Sequence, residues 1–159
     1  FEFIMAEDLN IQTGTKQEQY EALIPQIAGL LQGENNLIAN LANISAALKE
    51  QFNWWWVGFY WIHEDELVLG PFQGPVACTR IKKGRGVCGS AWEKGATIIV
   101  DDVEKFPGHI ACSALSNAEI VVPCVRNNEV YAVLDIDSTE FGAFDNVDAT
   151  YLEELVSYL

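Results

Sequence analysis

A nine-residue run rich in aromatic side chains, WWWVGFYWI at positions 54–62, most constrains what this chain can fold into. Such a run between polar boundaries predicts a β-strand, and after a turn at 63–65 the segment ELVLGPF predicts a second one. Two later segments, EIVVPCV and EVYAVLDID, are joined across Asn127 and Asn128, a pair that favours a tight hairpin turn. Two hairpins in one chain predict a central antiparallel sheet.

Helical patterns lie at both ends of the chain. Thr15 and Glu18 form a capping box ahead of an apolar series that ends near Gly33, with a kink expected at Pro25. A second helix is predicted to carry five apolar residues on one face: Leu37, Ile38, Leu41, Ile44 and Leu48. A last helix begins at Asp145 and is predicted to turn three residues inward: Leu152, Leu155 and Val156.

Between the hairpins the sequence predicts a short helix, VCGSAWEKG, and a short strand, TIIV. Hairpin strands with helices gathered at the chain ends are typical of an α+β domain. We expect a central antiparallel sheet with the N- and C-terminal helices on one side and long loops on the other. One domain is expected over residues 15–159, and residues 1–4 are taken as an expression remnant or a disordered start.

The charge balance excludes several classes of partner. Nine basic and twenty-three acidic residues give a net charge of −14 at pH 7, which offers no electrostatic surface to nucleic acid or to an anionic membrane. Half of the residues are hydrophobic, too many for a disordered chain, yet no apolar stretch approaches the roughly 20 residues of a spanning helix. Because no secretory signal is recognisable, we expect a cytoplasmic protein.

Two predicted loops, roughly 73–85 and 101–118, are longer than most connections, which favours a functional role. Cys78 lies in the first loop, Cys112 lies in the second, and Cys88 lies in the short helix between them. Three such cysteines in a cytoplasmic chain suggest thiol redox chemistry.

Four of the nine basic residues lie within eight positions of Cys78: Arg80, Lys82, Lys83 and Arg85. Cations near a thiol favour its thiolate form, although a charged surface loop with incidental cysteines is the alternative. Cys124 lies in an apolar strand and is expected to be a buried small side chain. No C-x-x-C pair occurs, so a zinc site is not predicted.

The alternation of the first strand divides its side chains between two faces. One face is predicted to belong to the core: Trp55, Val57, Phe59 and Trp61. The other face carries Trp54, Trp56, Gly58, Tyr60 and Ile62. Gly58 leaves a notch between Trp56 and Tyr60, which fits either a small apolar ligand group or aromatic packing.

The last predicted strand carries carboxylates at the end of an apolar segment. Its alternation predicts one face of Val130, Ala132, Leu134 and Ile136 and another of Tyr131, Val133, Asp135 and Asp137. The hairpin brings Glu119 towards the two aspartates. Three carboxyl groups so close cannot all ionise cheaply, so at least one should hold a proton near neutral pH. For Asp137 alone, capping of the turn before Ser138 is the alternative.

Several segments resemble one known family: WWWVGFY, LVLGPFQGPVACTRIKKGRGVCGSAW, HIACSALSNAEIVVP, and YAVLDIDS with FDNVD after it. The family is that of the free methionine-(R)-sulfoxide reductases, a catalytic branch of the GAF-domain superfamily, and the resemblance runs from about residue 16 to the end. It implies a single GAF-like domain that reduces free L-methionine-(R)-sulfoxide to methionine, with no cofactor or metal and with thioredoxin as the reductant. Family members are often homodimers, which the packing helices permit.

The resemblance also implies roles for three cysteines. The cysteine that matches Cys112 attacks the sulfoxide sulfur, and Cys78 then resolves the resulting sulfenic acid as a Cys78–Cys112 disulfide. Cys88 is either a relay for that disulfide or, in a competing assignment, the nucleophile itself.

The carboxylates and aromatic residues acquire roles in the same way. An acid among Glu119, Asp135 and Asp137 must protonate the departing sulfoxide oxygen, and the remaining carboxylates are expected to hold the substrate ammonium group. Trp56 and Tyr60 are expected to line a slot for the S-methyl group.

The substrate carboxylate is expected to bind backbone N–H groups around Ile110, Ala111 and Cys112, because the sequence offers no well-placed arginine there. A methionine sulfoxide inside a protein has neither terminal charge, so these polar ends would restrict the reaction to the free amino acid. The alternative function is a non-catalytic GAF module that binds a small molecule as a sensor.

Overall fold

The computed structural model describes residues 8–159, so the expectation for residues 1–4 lies outside the described residues. The elements follow in the order α1 (Lys16–Leu31), α2 (Leu37–Phe52), β1 (Trp56–His63), β2 (Glu66–Gln73), β3 (Arg80–Lys82), α3 (Gly86–Lys94), β4 (Ile98–Val100), β5 (Ala118–Arg126), β6 (Glu129–Ser138) and α4 (Asn146–Val156). A short 3-10 turn, Val103–Lys105, interrupts the second long loop. Within the described range, no helix is long and apolar enough to cross a membrane.

The strands form one antiparallel sheet in the order β3-β2-β1-β6-β5-β4, which confirms the predicted α+β architecture. Asn127 and Asn128 turn the β5–β6 hairpin with φ angles of 53° and 61°, a left-handed conformation that asparagine adopts more readily than most residues. Strand β3 was not predicted; it lies inside the first long loop and pairs with β2.

Three helices cover one face of the sheet and enclose the larger apolar core. The capping box of Thr15 and Glu18 begins α1 as predicted, and Asp145 caps α4. Inward side chains of β1, β5 and β6, such as Phe59 and Leu134, pack against α1, α2 and α4. Each large apolar side chain buried in this way contributes roughly 1.5–3 kcal/mol. We call this core the helix-side core. The opposite face of the sheet carries α3, the long loops and a second apolar cluster, which we call the loop-side cluster.

Some predicted face assignments near element ends are wrong. Ile38 is 55% exposed, because it lies one residue off the buried stripe of α2. Trp61 is 38% exposed near the turn of the β1–β2 hairpin. Trp54 packs with the helix-side core and Trp55 with the opposite cluster, the reverse of the prediction, because the alternation of β1 starts only at Trp56.

A β-bulge reverses two further assignments in β6. Cys124 pairs with Ala132 while Val125 pairs with Val130, so Tyr131 is an extra residue in the ladder. Val130 consequently packs with the loop-side cluster and Tyr131 with the helix-side core. From Ala132 onward the predicted alternation is correct.

Candidate functional site

A cavity of about 610 Å³, counting the space that is open to solvent, lies on the sheet face opposite α1, α2 and α4. Residues of β1, β5 and β6 form its floor, the start of α3 forms one wall, and the two long loops form its rim. Five of the predicted catalytic side chains line it: Cys88, Cys112, Glu119, Asp135 and Asp137. The sixth, Cys78, is bonded to Cys112.

A disulfide between Cys78 and Cys112 joins the two long loops, with their Cα atoms 5.6 Å apart. This is the pairing that the family resemblance implies. Cys88 is a free thiol, buried in α3 where that helix meets the cavity. Cys124 is also free and buried, and it belongs to the helix-side core as expected.

The register of the β5–β6 hairpin brings the three carboxyl groups together. Glu119 lies directly opposite Asp137, and Asp135 lies two residues before Asp137 on the same face of β6. Ser116 donates a hydrogen bond to Asp137, with 2.7 Å between Oγ and Oδ1. His109 Nε2 lies 3.9 Å from Glu119 Oε2.

Burial raises the pKa of all three carboxyl groups, and their mutual repulsion adds to the effect for Glu119 and Asp135. A hydrogen bond from Glu119 to Asp135 raises the pKa of Glu119 further and counteracts the rise for Asp135. This difference favours Glu119 over Asp135 as the protonated member of the pair. The pKa of Asp137 rises to about 6, held down by the hydrogen bond from Ser116.

The same environment acts on the neighbouring thiol and imidazole. Burial and the nearby carboxylates raise the pKa of Cys88 well above its usual value, so this side chain remains a thiol. Its sulfur lies 3.9 Å from Glu119 Oε1. Burial lowers the pKa of His109, which favours a neutral imidazole near pH 7.

Two aromatic rings form the apolar wall of the cavity. Trp56 and Tyr60 stack with 5.9 Å between ring centroids. The Trp56 indole donates to the Pro75 carbonyl at 3.0 Å, and the Tyr60 hydroxyl donates to the Cys78 carbonyl at 2.9 Å. A Cβ at Gly58 would lie 2.6 Å from the Trp56 ring, so aromatic packing fills the notch and the rings themselves face the cavity.

The predicted anion site in the second loop lies at the rim of the cavity. Ile110 and Cys112 line the cavity, but Ala111 is not among the lining residues. The Cys112 N–H already donates to the Ile110 carbonyl at 3.1 Å. The role of these backbone groups therefore stays a prediction.

Several lining residues were not predicted as site residues, among them Trp55, Arg85, His109 and Ser116. Arg85 lines the cavity together with Ile110 and Cys112, although the sequence showed no well-placed arginine for that loop. Arg85 is the N-cap residue of α3, and no side chain caps the first turn of that helix. The sequence signal that could have identified it is an arginine followed by a glycine directly before a predicted short helix. The Trp55 indole nitrogen is buried without a hydrogen-bond partner among the described residues.

The cluster of basic residues beside Cys78 does not act as one unit. Arg80 forms an ion pair with Glu66 at 3.2 Å, and Lys83 lies over the Trp92 ring. Of the four cations, only Arg85 lines the cavity.

One group of three side chains in the described range has the spacing of metal ligands. Single donor atoms of Cys88, Glu119 and Asp135 lie within 4.8 Å of one another. The raised pKa values of Glu119 and Asp135 fit a pair of carboxyl groups that shares a proton, and the role of the cluster in acid–base chemistry stays a prediction.

Comparisons with known proteins agree with this geometry. A sequence model of the GAF domain matches residues 39–159. The chain is 63% identical to "GAF domain-containing protein A" of Dictyostelium discoideum, over 98% of this chain and 99% of that protein. It is 49% identical to "Free methionine-R-sulfoxide reductase" of Escherichia coli, over 91% and 88% of the two chains. A solved free methionine-R-sulfoxide reductase from Neisseria meningitidis, in complex with its substrate, is 51% identical with a TM-score of 0.93 and covers 95% and 92% of the two chains.

Proposed function

The chain belongs to the free methionine-R-sulfoxide reductases of the GAF-domain family, and on that premise we propose that it reduces free L-methionine-(R)-sulfoxide to methionine. The observation that carries the proposal is a disulfide between Cys78 and Cys112 at the rim of a cavity whose floor holds three convergent carboxyl groups. A thiol that can be oxidised and an acid that can protonate an oxygen are the two groups this reaction needs.

The proposed reaction has two chemical steps. The Cys112 thiolate attacks the sulfoxide sulfur while the oxygen takes up a proton. The substrate gains two electrons and leaves as methionine, and Cys112 carries the oxygen as a sulfenic acid. The Cys78 thiol then attacks the Cys112 sulfur, an S–S bond forms, and the oxygen leaves as water.

Glu119 is the proposed acid. It is buried, its pKa is raised by burial and by the neighbouring aspartates, and it lies beside the Cys88 thiol in the cavity floor. A neutral carboxylic acid can protonate the developing oxyanion, whereas an ionised one cannot. Asp135 and Asp137 would then hold the substrate ammonium group, and Trp56 and Tyr60 would contact the S-methyl group.

The environments of the two candidate nucleophiles favour Cys112 over Cys88. Cys88 is surrounded by the carboxyl groups and stays a thiol, because burial and negative charge raise its pKa. Cys112 lies in an exposed part of the second loop and is already bonded to Cys78. We assign Cys88 the role of a neighbour to the acid rather than that of first nucleophile.

Recycling requires a dithiol that reaches the disulfide from solvent. Exposed apolar side chains flank both cysteines in sequence, with Val76 90% and Leu115 57% exposed. A thioredoxin-like protein fits this setting, since such proteins attack accessible disulfides, and a reducing cytoplasm would supply it. Homodimer formation stays a prediction.

The test is methionine formation with dithiothreitol as the reductant. Three substrates separate the possibilities: free L-methionine-(R)-sulfoxide, its S epimer, and a peptide that contains methionine sulfoxide. We expect turnover of the free R epimer and little of the other two. Absence of turnover on the free R epimer, in protein that binds it, would contradict the proposal and favour a sensor module.

A further inference from the structure

We infer that Arg85 binds the carboxylate of the substrate and so helps to select the free amino acid. The inference rests on the proposed function and adds a residue to it. Among the described residues that line the cavity, Arg85 is the one with a permanent positive charge. The carboxyl groups of Glu119, Asp135 and Asp137 lie in the floor of the same cavity.

Arg85 is available for a ligand, unlike several other cations of the chain. Its side chain forms no ion pair within residues 8–159, whereas Arg80 pairs with Glu66 and Lys105 pairs with Asp102. Its position at the N-cap of α3 fixes where its backbone meets the cavity wall. An exposed guanidinium at a cavity rim can turn towards an anion with little cost of desolvation.

Two aromatic side-chain donors of the cavity lining are already occupied. The Trp56 indole donates to the Pro75 carbonyl and the Tyr60 hydroxyl to the Cys78 carbonyl. The Cys112 N–H is likewise engaged with the Ile110 carbonyl. A guanidinium can hold both oxygens of a substrate carboxylate at once, whereas the unpartnered Trp55 indole N–H of the same lining can donate only one hydrogen bond.

The charge pattern matches a zwitterion. An α-amino acid carries an ammonium and a carboxylate on one carbon, and this cavity offers carboxylates in its floor and a guanidinium in its lining. A methionine sulfoxide within a peptide chain lacks both charges. Loss of the pairing with Arg85 would thus weaken binding of the free amino acid and leave binding of an analogue without a carboxylate unaffected.

The experiment compares two ligands across variants. Free L-methionine-(R)-sulfoxide keeps the carboxylate, and its carboxamide keeps only the ammonium group. We expect Arg85→Gln to raise KM for the free acid about 10- to 100-fold, with a smaller change in kcat and no change in KM for the amide. Arg85→Lys should fall between the two, because an ammonium cannot make the bidentate contact. Arg80→Gln, a cation outside the cavity, is the matched control and should behave as the parent.

A binding measurement separates this inference from the proposed function. Calorimetric titration of the same two ligands into Cys112→Ser protein reports on Arg85 without turnover. Equal loss of affinity for acid and amide in the Arg85→Gln background, or no loss for either, would overturn the inference and leave the backbone groups of the second loop as the carboxylate site. Failure of the parent protein to turn over the free acid would instead overturn the proposed function.

Discussion

The two faces of the central sheet are made from the same strands, yet they hold very different groups. Along β6, Leu134 and Ile136 belong to the helix-side core, whereas Asp135 and Asp137 line the cavity. Adjacent residues of one strand thus contribute to stability or to chemistry according to the face on which they lie.

A buried aspartate on each face shows what the difference means. On the helix side, Asp148 is fully buried and accepts hydrogen bonds from the Tyr20 hydroxyl at 2.6 Å, the Lys16 ammonium at 2.5 Å and the Asp145 N–H at 2.9 Å. On the loop side, Asp135 Oδ1 is buried with no hydrogen-bond partner in the described part of the chain. The buried carboxylate of the helix side thus has its hydrogen-bond partners within the fold, whereas the one on the loop side keeps an acceptor oxygen that a ligand can use.

The largest expected effect is on turnover, when a cysteine of the loop side is replaced and a cysteine of the helix side serves as the comparison. Cys112→Ser removes the proposed nucleophile, so turnover should fall about 1,000-fold or more. Cys124→Ala changes a buried thiol of the helix-side core and should leave kcat within about twofold of the parent. Methionine formation with dithiothreitol measures both. Equal activity of the two variants would remove the distinction between the faces.

The buried acids should differ in the property that each controls. Glu119→Gln removes the proposed acid, so kcat should fall by about 100-fold or more, while the free energy of unfolding is unchanged or higher because an amide replaces a crowded carboxyl group. Steady-state kinetics and urea unfolding on the same preparation provide the two readings.

Asp148→Asn is the counterpart on the helix side. The free energy of unfolding should fall by about 3 kcal/mol, since the variant breaks a buried ion pair with Lys16, while kcat stays near that of the parent. A large loss of kcat without loss of stability would show that the helix side takes part in the chemistry.

Two glycines test packing on the two faces. A Cβ at Gly58 would lie 2.3 Å from Phe72 Cβ as well as against Trp56, so Gly58→Ala should displace the aromatic wall and lower kcat/KM by about tenfold. A Cβ at Gly29 in α1 meets nothing within 4 Å, so Gly29→Ala should raise the free energy of unfolding by about 1 kcal/mol. Unchanged kcat/KM in Gly58→Ala would mean that the Trp56 ring is not part of the substrate site.

The last contrast is the pH dependence of stability. The pKa of Asp137 is about 6 in the fold against 3.8 ordinarily, so the folded protein binds more protons between these values. Its contribution to the free energy of unfolding is complete below about pH 4 and is lost as pH rises through about 6. Asp137→Asn should therefore gain stability relative to the parent as pH rises from 4 to 7 in urea unfolding. A pH-independent difference, or the opposite slope, would contradict the raised pKa.

Much of the architecture follows from local patterns. The predicted features are all short-range: the capping box at Thr15, the helix start at Asp145, the turn at Asn127 and Asn128, and the hairpin that brings Glu119 to Asp137. Each is present in the structure. Strand alternation determines the face of a residue only within a regular strand. It failed for Trp55, which precedes β1, and for the residues beside the bulge in β6.

The rim of the cavity could not be predicted in the same way. Arg85, His109 and Ser116 come from the end of one loop and from within another, and their meeting depends on how those loops close over the sheet. No periodicity marks such residues. The resemblance supplied the pairing of Cys78 with Cys112, which the spacing of the cysteines alone does not indicate.

The most direct test of the proposed chemistry is a single turnover with disulfide mapping. Fully reduced protein is mixed with one equivalent of free L-methionine-(R)-sulfoxide, methionine is quantified, and the disulfides are located by peptide analysis. The account predicts one methionine per chain and a Cys78–Cys112 link, with Cys88 and Cys124 still reduced. A Cys88–Cys112 link as the first product, or a Cys78–Cys112 link without methionine, would contradict it.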